Sequence, residues 1–268
     1  MVNIAVSGAA GRMGKRIINV ILSHTETKLV GACEAKGHGM VGRDAGEVAG
    51  AGPAEIQIVD SISEILENAD VLIDFSAKEA SMNNIQEASE NKVAVIVGTT
   101  GLTDDDLEKL SIYAKVIPLL ISANMSVGIN LLLQFVGKVG VLLGKDYDIE
   151  IIETHHKFKK DAPSGTAKSL ANTIKDSLRE ESNRKTNFVY GREGMVGEKP
   201  ENEIGVHAVR TGDVIGEHTV VYSGAGERIE ITHKAHTRDT FARGAVRAAI
   251  WIKDKPAGAY TMKDVLFG

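Results

Sequence analysis

The sequence predicts an α/β chain with two architectural parts: a parallel sheet layered with helices up to about residue 126, then a mixed, open sheet with helices of its own. Three observations predict it. Short apolar runs alternate with helical patterns through the first part, as successive βαβ units do. A glycine-rich turn follows the first of those runs directly. Beyond residue 203, alternating runs joined by Gly224-Ala225-Gly226-Glu227 read as hairpin-linked strands.

In chain order, the expected strands of the first part are residues 3–7 (NIAVS), 28–33 (KLVGAC), 71–75 (VLIDF), 93–97 (VAVIV) and 116–121 (VIPLLI). Helical patterns fall at 12–23, 62–68, 78–90 and 104–112. A small or polar turn follows each strand, and open α/β sheets take their ligands at the carboxyl ends of strands. The pattern changes at residue 127, where VGINLLLQFVGKVGVLL reads as a long buried helix. A strand over 147–156, a helix over 164–181 and a polar stretch over 182–203 follow; the stretch reads as a mobile loop. The β-rich runs IGVHAVRTGD and GEHTVVYSGAGERIEITHKA come next. A last helix opens near Thr237, carries Phe241, Val246, Ile250 and Trp251, and is free to join either part.

Composition excludes several function classes. Lys plus Arg number 31 against 36 Asp plus Glu in 268 residues, a net charge of −5, and no long basic run is present, so nucleic acid is not an expected partner. Cys33 is the single cysteine, which excludes an intrachain disulfide and a cysteine-based zinc site and fits a reducing compartment. Cys33 itself reads as a small buried strand residue. No apolar run is read as reaching the ~18 residues of a membrane span. Met1-Val2 leads straight into a strand, with no room for a leader, so the expected location is the cytosol.

The first motif is Gly8-Ala9-Ala10-Gly11-Arg12-Met13-Gly14, between a strand and a helix. Glycines at this spacing permit a tight turn and a close backbone approach to a pyrophosphate, which the helix N-terminus attracts. Glu34 lies 20 residues past Gly14, where an acid accepts hydrogen bonds from the adenosine ribose. Its charge repels a 2′-phosphate, and Ala35 offers no compensating cation, so NADH is the expected cofactor with NADPH tolerated. Gly98-Thr99-Thr100 and Ser122-Ala123-Asn124-Met125 end strands on the same sheet edge, with room for a nicotinamide ring and a carboxamide partner in Asn124. Asp74 and Ser76 read as strand-end caps or as lining of the cofactor groove.

The second motif is ETHHKFKKDAPSGTA, residues 153–167. Lys157, Lys159 and Lys160 crowd with His155 and His156 just ahead of Ser164-Gly165-Thr166, a helix start offering hydroxyls and backbone N–H groups. A plain capped turn with solvated lysines is the bland alternative. Two histidines without a third ligand argue against a metal. A small dianionic substrate fits better: cations for two carboxylates, helix N–H groups for one, and a lysine or histidine to give a proton. Strict strand alternation places His156 opposite His155 and Lys159, so the strand must end or bend there. His207, His218, His233 and His236 read as structural or interface residues, and Arg210 as a group that neutralises substrate or bridges subunits.

The run Glu153-x-His155-His156-x-x-Lys159-x-Asp161-x-Pro163-Ser164-Gly165-Thr166-Ala167, with GAAGRMG, DFS, VGTTG, SANMSVG, VHAVRTGDVIGEHTV and ITHKAHTRDTFARGA, resembles the 4-hydroxy-tetrahydrodipicolinate (dihydrodipicolinate) reductase family over essentially the whole chain. The resemblance implies a Rossmann-like domain from both chain ends, 1–126 and 236–268, and an inserted substrate-binding and oligomerisation domain, 127–235. It implies NAD(P)H-dependent reduction in the diaminopimelate route to lysine, and a homotetramer joined through the second sheet. It gives His155 and Lys159 proton-transfer roles and sets the substrate carboxylates against His156, Gly165 and Thr166. Many members carry Arg where this chain has Ala35. Hydride transfer between groups held on two domains further implies hinges near 126–127 and 235–237. Another NAD-dependent dehydrogenase of a small acid, or a non-catalytic NADH sensor, stands as the alternative.

Overall fold

The computed structural model describes residues 1–268, which divide into two compact units: Met1–Val127 with Arg238–Gly268, and Gly128–Thr237. The first unit holds strands β1 (Val2–Ser7), β2 (Thr27–Cys33), β3 (Ile58–Val59), β4 (Val71–Asp74), β5 (Ala94–Val97) and β6 (Pro118–Ile121). Helices α1 (Arg12–Ser23), α2 (Ala45–Ala49), α3 (Ile62–Leu66), α4 (Lys78–Glu90) and α5 (Asp104–Leu110) lie between them. Helix α6 (Val127–Leu143) leads into the second unit, which holds β7 (Asp148–His155), α7 (Gly165–Ser182), β8 (Asn187–Val189), β9 (Glu203–Arg210), β10 (Gly216–Gly224) and β11 (Glu227–Ala235). The chain then returns to the first unit as α8 (Asp239–Ile252), β12 (Gly258–Tyr260) and α9 (Met262–Phe267).

The first sheet is parallel throughout, in the order β12-β6-β5-β4-β1-β2-β3. β4 and β5 are buried at every position because helices cover both faces. Strand alternation sorts their side chains into two layers. Ile4, Val6, Ile73 and Ile96 pack with α1 and α8 on one side, while Ala5, Leu72, Val95 and Val97 pack with α3 and α4 on the other. Ile17, Ile18 and Ile21 give α1 its inner face and are fully buried, each contributing roughly 2 kcal/mol relative to exposure in water.

The second sheet is mixed, in the order β11-β10-β7-β9-β8, with β7 parallel to β9 and antiparallel to β10. Its inner face, Ile149, Ile151, Ile204, Val206, Val220 and Tyr222, packs on α6 and α7. Tyr222, fully buried, donates its hydroxyl to the Val136 carbonyl at 2.5 Å.

Three expectations need correction. The stretch 182–203 contains β8, held as an edge strand on β9 by its backbone and by Phe188, which packs on the core under Lys175. Arg192 and Lys199 further on reach back to Glu150, so this stretch is pinned by ion pairs. The short elements β3, α2, β12 and α9 are additional to those read from the sequence. Finally, Val127–Asp146 is long and apolar enough by length and composition to cross a membrane, with a mean hydropathy of 1.7. Lys138 is the one charged residue between Val127 and Leu143, and Leu132 and Val136 join the second unit's core.

At Gly244 on α8, a Cβ would run into the Met125 carbonyl. Overpacking against backbone costs about 1–3 kcal/mol. Gly244→Ala is therefore expected to lower the melting temperature by several degrees, measured by calorimetry on the whole chain.

Candidate active site

The residues singled out from the sequence fall into two groups, one in each unit. In the first unit, β1 gives way to the glycine turn because Gly8 adopts φ +75°, with Phe75 O only 2.6 Å from where a Cβ would stand. The N–H groups of Gly8 and Ala9 both reach the Cys33 carbonyl at 3.0 Å, which fastens the turn to the end of β2. Gly14 packs on the turn so closely that a side chain would strike the Gly8 carbonyl. Helix α1 then starts at Gly11 with no side-chain cap and no acidic residue in its first turn. An uncapped, acid-free helix start has backbone N–H groups and a positive dipole end to offer an anion.

Glu34 stands one residue past β2, and its carboxylate accepts the N–H of Ala10 at 3.0 Å and of Ala35 at 2.9 Å. It is thereby oriented over the turn. Arg12 is exposed at the start of α1. Burial, followed by repulsion from Arg12 and Arg16, holds Arg238 below the usual guanidinium value, so these cations lie near one another beside the turn. Arg238 was missed by the sequence reading, although the quoted run ITHKAHTRDTFARGA contains it. These features fit a dinucleotide: a backbone cradle for a pyrophosphate, cations beside it, and an acid for a ribose.

The strand ends beyond the turn are more constrained than the sequence implied. Gly98 lies against the Phe75 ring, and Thr99 is buried with its hydroxyl 2.7 Å from that of Ser81. Thr100 and Ala123 are exposed. Asn124 closes a turn, its Oδ1 accepting the Ser126 N–H at 2.9 Å, while Ser122 donates to the Asn124 carbonyl. Met125 is 1% exposed, so its side chain belongs to the core, as does that of Ala9. The expected cofactor contacts at Ala9 and Met125 are thus limited to backbone, because packing consumes both side chains. Met13 is partly buried against the same core.

In the second unit, β7 alternates burial so that Ile149, Ile151, Glu153 and His155 share the inner face. The strand stops at His155, and the chain turns: the N–H of His156 reaches the Val214 carbonyl and that of Lys159 reaches the His156 carbonyl. This turn resolves the alternation problem, since His156 and Lys159 no longer follow the strand's pleat. The Ala162–Pro163 peptide is cis, and Ser164 then caps α7, accepting the Ala167 N–H at 3.2 Å.

Glu153 joins these pieces. Its side chain is fully buried, and its oxygens accept His155 Nδ1 at 2.5 Å, the Ser164 N–H at 2.9 Å and both Arg210 amino groups at 2.8 Å. Burial opposes the charge, yet Arg210, His155 and the Ser164 N–H together hold the Glu153 carboxyl below its ordinary range. Arg210 is therefore committed to Glu153 and to the Asp161 carbonyl, which corrects its reading as a substrate or subunit contact.

His155 is buried, and burial pulls its pKa below the ordinary histidine value despite the adjacent carboxylate. Its ring stacks edge-on against His218 at 5.2 Å, with Gly216 leaving room for Nε2. His218, 4% exposed and 3.2 Å from Ser164 Oγ, is pulled down to about 3, chiefly by burial. The Ser164 hydroxyl is thus absorbed by the cap and by His218, which removes it from the expected substrate contacts. Gly165 is exposed and Thr166 half-buried at the first turn of α7, which carries no acidic residue. Nδ1 of His156 is buried without a hydrogen-bond partner, and Lys159 rests its ammonium on Asp161 at 2.9 Å. An unpartnered imidazole nitrogen, a lysine and an acid-free helix start in one turn are the groups that a small carboxylate needs. His218, read from sequence as a structural or interface residue, is buried beside His155, while Glu153 entered the sequence reading only as the first letter of the quoted run.

Known protein families match both units. Residues 2–125 match the family model "Dihydrodipicolinate reductase, N-terminus" and residues 128–266 match "Dihydrodipicolinate reductase, C-terminus". The 4-hydroxy-tetrahydrodipicolinate reductases of Geotalea uraniireducens and Syntrophobacter fumaroxidans are 48% and 45% identical, each over 99% of both chains. Among solved structures, the dipicolinate-bound dihydrodipicolinate reductase from Paenisporosarcina sp. TG-14 superposes with a TM-score of 0.74 over 97% of both chains at 23% identity, a likeness of fold. The chain belongs to the dihydrodipicolinate reductase family.

Proposed function

We infer that this chain is an NAD(P)H-dependent 4-hydroxy-tetrahydrodipicolinate reductase, forming tetrahydrodipicolinate with loss of water on the diaminopimelate route to lysine. The observation that carries the reading is the turn from His155 to Thr166, where a buried carboxylate fixes an imidazole and a helix start beside Lys159 in a chain nearly half identical to reductases of that name.

A bound reduced dinucleotide supplies hydride to the substrate ring. The chain's own residues do the rest. Glu34 accepts ribose hydroxyls, and the turn Gly8–Met13 with the α1 N-terminus faces the pyrophosphate. His156 and the backbone of Gly165 and Thr166 hold the substrate carboxylates. Loss of the 4-hydroxyl as water leaves an unsaturated ring, and hydride addition builds negative charge on its far atom, which a proton must neutralise. Burial lowers the pKa of His155 against the pull of Glu153, which disfavours its protonated form. Lys159 is the donor in this reading, with His155 oriented by Glu153 as its neighbour.

The same reading takes the protein as cytosolic, consistent with one buried, unpaired cysteine whose thiol burial pushes up to about 12. It also takes the homotetramer of the family as this chain's state. Ile152 and Val209, on the face of the second sheet turned away from its core and each about two-fifths exposed, supply apolar surface for such a contact.

The activity is tested by following NADH absorbance with substrate made by the preceding synthase from pyruvate and aspartate semialdehyde; no turnover would refute it. Lys159→Ala is expected to lower kcat by about 100-fold or more while leaving the NADH KM within about threefold. His156→Ala should instead raise the substrate KM roughly tenfold. With Glu34 fixed over the turn and Ala35 beside it, kcat/KM is expected to be several-fold higher for NADH than for NADPH, and a large NADPH preference would contradict the role given to Glu34.

A further inference from the structure

Asp74 ends β4 with no exposure to solvent and no ion pair. Its Oδ1 lies 2.8 Å from the Ser76 N–H, 2.6 Å from the Ser76 hydroxyl, and 3.2 and 3.4 Å from the hydroxyls of Ser81 and Thr99. Its Oδ2 takes the Asn84 amide at 2.8 Å, and that same amide reaches Ser7 Oγ at 2.9 Å. Every one of these partners has a proton to give, the arrangement an ionised carboxylate requires. The charge is solvated by dipoles alone.

Its place in the sheet matters. Asp74 is opposite Ser7 across β1 and β4 and opposite Val97 across β4 and β5. The strand order turns at this point, with β2 and β3 on one side of β1 and β4, β5 and β6 on the other. Open α/β sheets take ligands at the carboxyl ends beside such a switch point. Through Asn84 and Ser81 the carboxylate ties together the strand ends that carry the glycine turn and Thr99. These donors suit two acceptor oxygens, whereas an amide would set its NH2 against one of them. What a carboxylate adds is charge, and it stands in a dry place where charge acts at full strength.

We propose that Asp74 is a positioning residue and fixed anion of the cofactor pocket, favouring a nicotinamide ring that carries positive charge over the neutral reduced ring. The proposal rests on the dinucleotide reading of the first unit. A ring that gives up hydride gains positive charge, so this anion assists hydride donation and opposes its reversal.

The test is titration of the whole chain with NAD+ and with NADH, each alone, for the wild type and Asp74→Asn, with thermal melts to confirm folding. The ratio of the NAD+ dissociation constant to that of NADH should rise roughly 5- to 10-fold in the variant. Should the amide not fold, Asp74→Ser, with space for a water among Ser76, Ser81 and Asn84, gives the same readout. A folded variant whose two affinities fall together, or not at all, leaves the ratio unmoved and overturns the proposal. Wild-type protein that binds neither nucleotide refutes the dinucleotide reading itself, and the proposal with it.

Discussion

A carboxylate without solvent contact organises the turn from His155 to Ser164 in the second unit. Glu153 reaches Arg210 on β9, His155 on its own strand and the Ser164 N–H at the start of α7, so three elements meet on two oxygen atoms. Burying an ion pair costs desolvation that its Coulomb attraction only about offsets, and a well-packed apolar pair would serve stability as well. The gain is geometric. His155 has Nδ1 occupied and its ring orientation set, the helix start is held at a fixed place, and Arg210 is spent on Glu153 and the Asp161 carbonyl. The cations left on that turn, with the unpartnered nitrogen of His156, are then the groups available to an anion.

The first unit reaches a similar end by other means. Backbone packing, rather than charge pairing, fixes its anion cradle: Gly8 and Gly14 bring the turn against itself, and two N–H groups on one carbonyl fasten it to β2. Glu34 can then accept from the turn's own N–H while remaining at the strand end. Lys78 at the start of α4 pairs with Asp106 at 2.6 Å, and Thr103 and Asp106 cap α5 reciprocally, so the loop following Thr100 is anchored at its far side too. Rigid support of this kind keeps a binding loop near its working geometry.

Much of this was legible in the sequence, and the remainder was hidden for physical reasons. Glycine spacing after a strand and an acid 20 residues on are local signals, and both kept their predicted places. Charge density at 153–167 was equally local. The identity of the residues that organise it was not: Arg210 lies 57 positions from Glu153 and becomes its partner only through the parallel register that sets His155 opposite Arg210. Packing also decided which candidates were spent. Ser164 went to its cap, as a serine at a helix start can, while Asn124 went to a turn and Met125 to the core, which residue type alone does not reveal. The three-residue strand β8 escaped notice because so short a run in polar surroundings has no readable period.

The central claim is that the Glu153 carboxylate, in its charged form, holds the substrate turn together. Its pKa is lower in the folded chain than its ordinary 4.5, so the stabilisation is present above about pH 4.5 and is lost as pH falls through the folded value. Measuring stability of wild type and Glu153→Gln from pH 7 downward tests this directly. The account predicts a variant about 3 kcal/mol less stable at pH 7, with the gap closing as the pH drops below 4.5. A gap that stays constant across that range, or no gap at pH 7, would contradict it.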